Sequence, residues 1–449
     1  MKGVFQSGLT SRGISAWILG LILTLSYTMI YFGGDISLRD PDRVDFLLDD
    51  NGRILGSKGE APGSAVLARD LKDLTRRIEI PADLEKKFQE FTASGRSDLV
   101  SRTGRFYFYE LKFYRVKPGE IMLQITITDT AHHFLTRHVY SRLDLLARLL
   151  RNSVSDNWFF YSTMYTLFVL VFGVRMFRKH RGNRYQIYRT ISVMFFQLGF
   201  AYLLPGFLAL FQQPDYYFSY FWPLKPEYLY PSYWKSALGR GGTGVLFLSI
   251  SACMTFFATP VLTYFYGKRW YCSWVCGCGG LAETAGDPFR HLSDKSPSAW
   301  KLEIVLIYSV LGLITAVTGL LWANSLFSGE ILGRASAGSA KAYGFFIGSI
   351  WSGVIGVGFY PILGSRVWCR FCCPMAAYLG ILQKYFSRFR ITTNGGQCIS
   401  CGNCSTYCEM GIDVRSYAQK GEDIVRASCV GCGICSAVCP RGVLNLETR

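Results

Sequence analysis

Long apolar runs alternate with polar stretches along this chain, and the runs have the length of a bilayer crossing. The first covers residues 14–32, and five more lie near 157–176, 191–212, 243–265, 303–323 and 343–363. Each holds few or no charges over about 20 residues, enough for a helix to span ~30 Å of hydrocarbon. Six spans are therefore expected. Lys2 and Arg12 precede the first run, and no small-residue cleavage site follows it directly. That run is expected to be an uncleaved signal anchor.

Residues 34–155 have a different rhythm. Residues 45–56 alternate apolar and polar positions around Asn51-Gly52, as a hairpin does. Residues 106–116 and 121–128 read as a second hairpin, closed by Lys117-Pro118-Gly119-Glu120. Residues 70–90 have helical character. Strands and a short helix between two spans make an α+β domain whose pattern resembles the extracytoplasmic PAS/Cache-like sensor domains. It has no covalent-flavin threonine motif.

Charge orients the spans. The chain of 449 residues is half hydrophobic and carries a formal net charge of +17. A basic balance suits nucleic acid or a membrane surface. Much of the charge sits beside apolar runs, so membrane lipid is the expected partner and nucleic acid is not. Residues 175–184 form the strongest basic cluster, and the positive-inside rule makes that loop cytoplasmic. Alternation then places both termini in the cytoplasm and residues 34–155 in the periplasm of a bacterial inner membrane. Lys268, Arg269, Arg366 and Arg370 fall on the cytoplasmic side in this scheme, and the aromatic loop 215–234 falls outside. The expected division is 1–33 N-terminus and anchor, 34–155 periplasmic domain, 156–385 five-helix membrane domain, and 386–449 C-terminal domain.

Cysteine usage supplies the chemistry. Eight of the fifteen cysteines lie between Cys398 and Cys439. Clustering of this kind suits metal ligation on the reducing side of a membrane better than disulfides. Cys398, Cys401, Cys404 and Cys408 follow C-x2-C-x2-C-x3-C, and Cys429, Cys432, Cys435 and Cys439 repeat it before Pro440. This is the bacterial two-cluster ferredoxin pattern, in which the fourth Cys of each run ligates the other cluster. Cys398, Cys401, Cys404 and Cys439 are expected to hold one [4Fe-4S] cluster, and Cys429, Cys432, Cys435 and Cys408 the second. Gly402, Gly431 and Gly433 let the backbone bend round the sulfurs. A zinc module needs only four ligands and does not explain two copies of a four-cysteine run. Glu409 stands where ferredoxins usually have proline, without removing a ligand.

A second repeat lies in the membrane region. Residues 267–276 and 364–373 both read G-x-R-x-aromatic-C-x-aromatic-x-C. On a helix each C-x3-C pair would put both thiols on one face. Cys272, Cys276, Cys369 and Cys373 could thus supply four ligands to a third Fe–S or other redox centre, with Arg269 and Arg366 offsetting their charge. The alternative is plain packing, since free Cys is a common buried residue. Cys278 and Cys372 are weaker candidates, and Cys253 is weaker still.

The six-span layout, the paired C-x3-C motifs and the double ferredoxin run together resemble the NapH/NosR-type membrane polyferredoxins, over roughly residues 157–449. Gly277 departs from that pattern, which has proline there, and Cys278 is additional. The resemblance implies electron transfer between quinol and periplasmic or cytoplasmic redox partners. The expected fold is a multi-domain membrane protein: a six-span α-helical domain, a PAS/Cache-like α+β domain and a C-terminal two-cluster ferredoxin.

None of the five histidines (His132, His133, His138, His180, His291) lies inside an expected span, so no haem b is expected. His132, His133 and His138 could bind a metal outside, although a solvated or structural trio is the simpler reading. No P-loop, dinucleotide fingerprint or hydrolase triad occurs. The expected function is an electron-transfer component rather than a stand-alone enzyme. The rival readings are a redox-responsive sensor and an assembly factor for a respiratory metalloenzyme.

Overall fold

The computed structural model describes residues 14–32, 42–58, 88–89, 91–92, 98–103, 107–117, 120–129, 139–151, 155–211, 213, 216–240, 242–327 and 334–448. The chain divides into two compact units. One comprises residues 29–148 and 153–160, and the other residues 1–28, 149–152 and 161–449.

The first unit is built on one antiparallel sheet. Strands β1 (Asp42–Asp49), β2 (Ile54–Lys58), β3 (Asp98–Thr103), β4 (Tyr107–Lys117) and β5 (Glu120–Asp129) run in the order β2-β1-β5-β4-β3. Both expected hairpins form. In the first, Gly52 adopts φ +79°, and Asp49 Oδ1 accepts the N–H groups of Asn51 and Arg53 at 2.9 and 2.7 Å. Phe46 pairs with Leu123, Leu48 with Ile121, and Phe113 with Leu123. All five side chains are buried, because residues two apart on a strand share a face. Phe88 and Phe91 cover that face, with ring centroids 5.6 and 5.5 Å from that of Phe113. A one-residue slip would turn the whole apolar set outward, so this face fixes the register. Most of the expected helical stretch 70–90, and His132, His133 and His138, lie outside the described residues.

The second unit is helical. Ile14–Phe32 is an apolar helix with no charge in either end turn. Five helices among the described residues are long and apolar enough to cross a membrane: Asn157–Lys179, Arg184–Leu210, Gly242–Tyr266, Pro297–Leu326 and Gly338–Gly358. Their outward faces carry exposed apolar side chains such as Phe257, Val261, Val305 and Leu313, as lipid-facing helices do. Hydropathy alone placed three starts several residues too late, at 191, 303 and 343 against Arg184, Pro297 and Gly338. Asn183 caps the second of these helices by accepting the Gln186 N–H at 3.2 Å, which adds a polar first turn. Ser296 caps the fourth through the Ala299 N–H at 3.2 Å, with Pro297 as its first residue. The last span ends earlier than expected, at Gly358, and the short turn Tyr360–Leu363 follows.

The repeated glycines have a shared cause. Gly267 and Gly364 close the helices before them at φ +66° and +94°, in backbone regions that are nearly glycine-only. A Cβ on Gly267 would sit 2.7 Å from Phe389, and one on Gly364 would strike Ser293. Beyond helix Pro374–Phe386, strands β6 (Phe389–Thr393) and β7 (Leu444–Thr448) pair antiparallel. They join the two ends of the cysteine-rich segment, which belongs to the same compact unit as the helices.

Candidate metal centres

Short turns and helices build two recesses in the C-terminal segment. Gly402 (φ +78°) and Gly433 (φ +72°) each cap a one-turn helix, Asn403–Thr406 and Ile434–Ala437. Gly431 adopts φ +62°, and Ser400 takes φ +56° at the matching place in the first run. These left-handed residues wrap the backbone round the sulfurs, as expected for the glycines. Cys398, Cys401, Cys404 and Cys439 line one recess of about 360 Å³, with Ile399, Ala418 and Leu444. Cys408, Cys429, Cys432 and Cys435 line the other, of about 370 Å³, with Met410, Ile412 and Val430. The fourth cysteine of each run therefore lies in the recess of the other run.

The donor sets suit a cluster. Burial pushes the Cys408 and Cys429 thiols up to about 11 and Cys432 to about 12. Bare thiols there stay protonated near neutrality, so four thiolates would need a bound cationic core. No group of three or more metal-ligating side chains among the described residues is placed to hold a single ion. A tetrahedral zinc site draws four sulfurs to ~2.3 Å from one centre. Each recess instead gathers three cysteines of one run and the last cysteine of the other, as the shared ligation of a two-cluster ferredoxin requires.

The membrane-region thiols converge by a different route from the expected one. Cys272 ends the turn Arg269–Cys272, and Cys276, in extended conformation, precedes helix Gly277–Thr284. Cys369 lies in Val367–Phe371, and Cys373, also extended, precedes Pro374–Phe386. Neither pair rides one regular helix. Each straddles a break, for which Pro374 gives a physical reason: the residue before proline is kept out of the helical region. All four thiols are buried in one cluster. The Cys373 thiol feels charge on Cys369, Cys272 and Cys276, and Cys272 feels Cys276 and Cys369. Burial pushes Cys272 up to about 12. Cys276 is drawn down to about 7, first by a hydrogen bond from Cys278 and then, against burial, by the N–H groups opening its helix. Cys278 thus joins the group, whereas Cys372 feels burial alone and Cys253 is exposed on a span. Gly277 is explained by close approach. A Cβ there would lie 2.6 Å from both Gln197 Oε1 and Tyr220 Oη, so these side chains occupy the space of the usual proline ring.

A buried ionic network ties the helix ends to the second recess. Glu283 takes Arg189 at 2.7 Å and Arg366 at 2.5 Å on its two oxygens. Glu409 takes Arg290 at 2.7 Å and faces Arg366 Nε at 3.1 Å, a charge contact rather than an aligned hydrogen bond. Arg290 also meets Asp287 at 2.9 Å, and Asp287 meets Lys179 at 2.7 Å. Burial opposes ionisation of Glu409, but Arg290 and Arg366 outweigh it and hold the carboxyl below the usual range. The loop of the second run is gripped by its carbonyls: Tyr185 donates to Gly431, Gln186 to Cys432, Ser273 to Val430 and Gln383 to Cys429, each at 2.8 Å.

The two repeat arginines part company. Arg366 Nη1 lies 3.8 Å from Cys369 Sγ and 3.1 Å from the Cys272 carbonyl. Arg269 instead stacks over Phe389 at 4.4 Å and Trp274 at 5.5 Å and reaches Thr448. Its expected place as counter-charge falls to Lys268, which is fully buried and favours the thiolates of Cys272, Cys369 and Cys429. Sequence reading missed Lys268, Gln186, Arg189, Glu283, Arg290 and Gln383.

Comparison with known proteins agrees with this layout. A family described as a 4Fe-4S dicluster domain matches residues 397–444, the whole of both cysteine runs. A second, described as a 4Fe-4S binding domain, matches twice, over residues 252–296 and 343–393. The double match falls on the two C-x3-C repeats. The chain thus carries ferredoxin-type 4Fe-4S domains beside apolar helices long enough to cross a membrane, a combination that fits a membrane polyferredoxin. Among its relatives is the methylamine utilization ferredoxin-type protein MauN of Methylobacillus flagellatus, 29% identical over 154 residues, 32% of this chain and 50% of that protein. Another is YccM of Escherichia coli, named for electron transport, 28% identical over 160 residues, 34% of this chain and 44% of that protein. The chain thus spans about half the length of the curated relatives it matches. No solved structure matches it.

Glu283→Gln leaves two buried arginines undercompensated and is expected to cost ~3–5 kcal/mol. Glu227→Gln, in the half-exposed pair with Lys225 at 4.0 Å, is expected to cost under ~1 kcal/mol. Thermal unfolding in detergent checks both, and equal midpoints for the two variants would refute the network's importance.

Proposed function

We propose that this protein is a membrane-bound iron–sulfur electron-transfer protein of the polyferredoxin type. It would link its C-terminal ferredoxin domain to the quinone pool or to a respiratory redox partner. The observation that carries this reading is the pair of four-cysteine recesses, each completed by the last cysteine of the other run. Cys398, Cys401, Cys404 and Cys439 would hold one [4Fe-4S] cluster, and Cys429, Cys432, Cys435 and Cys408 the other. When bound, such clusters supply one-electron redox chemistry. The chain's own part is to supply eight thiolates, exclude water with Met410, Ile412, Val430 and Leu444, and set the local charge with Arg366, Lys268 and Glu409. Cys401 is exposed and Ile399 is 52% exposed at the first recess, which supports docking of a redox partner there. The second recess includes Glu409, which meets Arg366, and Arg366 lies 3.8 Å from Cys369 Sγ. Cys272, Cys276, Cys369 and Cys373, with Cys278 beside them, are a third redox or metal site in this reading. The description of the family that matches both repeats supports it.

The reading includes the division at residues 33, 155 and 385, a sixth span in Ile14–Phe32, and both termini in the cytoplasm of a bacterial inner membrane. Residues 34–155 would then be a periplasmic sensor-like domain, and the five-stranded sheet supports its α+β character.

Anaerobically purified protein is expected to contain about eight irons from two cubanes, rising to about ten or twelve if the third site holds a two-iron or four-iron centre. Ser substitution at Cys276 and Cys373 is then expected to remove only the excess. About one zinc per chain, with no iron after anoxic reconstitution, would sink the proposal.

Orientation is checked separately. Alkaline phosphatase fused after residue 100 is expected to be active and after residue 449 inactive, and the reverse pattern would overturn the positive-inside assignment.

A further inference from the structure

Glu409 directly follows Cys408, at the position usually held by proline, and it has a place that proline cannot take. Its side chain is fully buried, and its carboxylate meets Arg290 and Arg366. The same carboxylate is an electrostatic neighbour of the Cys432 sulfur and disfavours its thiolate. On the far side of Arg366, Nη1 lies 3.8 Å from Cys369 Sγ. A series of electrostatic neighbours therefore runs Cys432, Glu409, Arg366, Cys369, with sulfur at both ends. Docking alone does not need this series, because the Arg290–Glu409 pair and the carbonyl grip on residues 429–432 already hold the loop. In buried, weakly screened ground each charge acts strongly on its neighbours.

We propose that Glu409 and Arg366 are positioning residues that form an electrostatic bridge between the second four-cysteine recess and the membrane-region thiol group, so that charge added at one end is felt at the other. The bridge rests on the reading that the second recess holds a cluster. Lowering the charge of Glu409 removes a negative neighbour and makes reduction there easier. Lowering the charge of Arg366 removes a positive neighbour and makes it harder. Coupling of this kind is reciprocal between the two sites.

The test is an EPR-monitored redox titration of the full-length protein, purified anaerobically in detergent. Wild-type iron content and reduced cluster signals check the underlying reading first, and their absence would defeat that reading rather than the bridge. Given those signals, Glu409→Gln is expected to raise one of the two midpoints and leave the other in place. Arg366→Gln is expected to lower that same midpoint, and the charge-conserving Glu409→Asp to restore the wild-type value. Unchanged midpoints in variants that keep their iron, or shifts of one sign in both Gln variants, would overturn the bridge. If Glu409→Gln loses its iron, Arg366→Gln against Arg366→Lys decides. A lowered midpoint in the first alone supports the bridge, and no difference between them contradicts it. Loss of iron from every one of these variants would reduce the pair to a folding role and overturn it as well.

Discussion

Arg366 must bury a guanidinium without leaving it unpaired, and the architecture of the second unit follows from how that is done. An uncompensated buried charge costs several kcal/mol, comparable to the whole stability of a domain. Arg189, Arg290 and Arg366 share Glu283, Glu409 and Asp287, and no side chain among the six is more than 3% exposed. These six residues come from helix Arg184–Leu210, the segments after two further spans, and the first cysteine run. Satisfying them all at once fixes how the helix ends meet the C-terminal segment. Hydrophobic burial supplies the larger stabilisation but is non-directional. The ion pairs are what specify the geometry.

The same constraint sets the order of the sulfur sites. The first recess lies at the exposed end, with Cys401 and Ile399 open to solvent. The second is gripped through its backbone carbonyls by residues at the helix ends. The membrane-region thiols lie beyond Arg366 and Lys268, two buried cations placed where clustered thiolates would otherwise repel one another.

Features with a local physical cause were legible in the sequence. Apolar runs gave the five described helices that are long and apolar enough to cross a membrane, because length and hydropathy decide bilayer crossing. Asn51-Gly52 gave its hairpin, because a glycine at φ +79° has a specific conformational use. Cysteine spacing gave both recesses, including the crosswise place of Cys408 and Cys439. Features that depend on distant residues were not legible. Arg189 and Glu283 lie 94 positions apart, and no periodicity joins them. Arg269 and Arg366 look equivalent in their repeats, yet one stacks on aromatic rings and the other faces sulfur. The C-x3-C pairs were misread as helical although Cys373-Pro374 carried the contrary signal. For Cys276-Gly277, only the close approach of Gln197 and Tyr220 explains the departure from proline.

The most direct check on this arrangement is a map of anomalous scattering at the iron edge from anaerobically grown crystals. The account predicts one iron peak among Cys398, Cys401, Cys404 and Cys439, and a second among Cys408, Cys429, Cys432 and Cys435. Peaks at the zinc edge instead, or a peak ringed by the four cysteines of a single run, would contradict it.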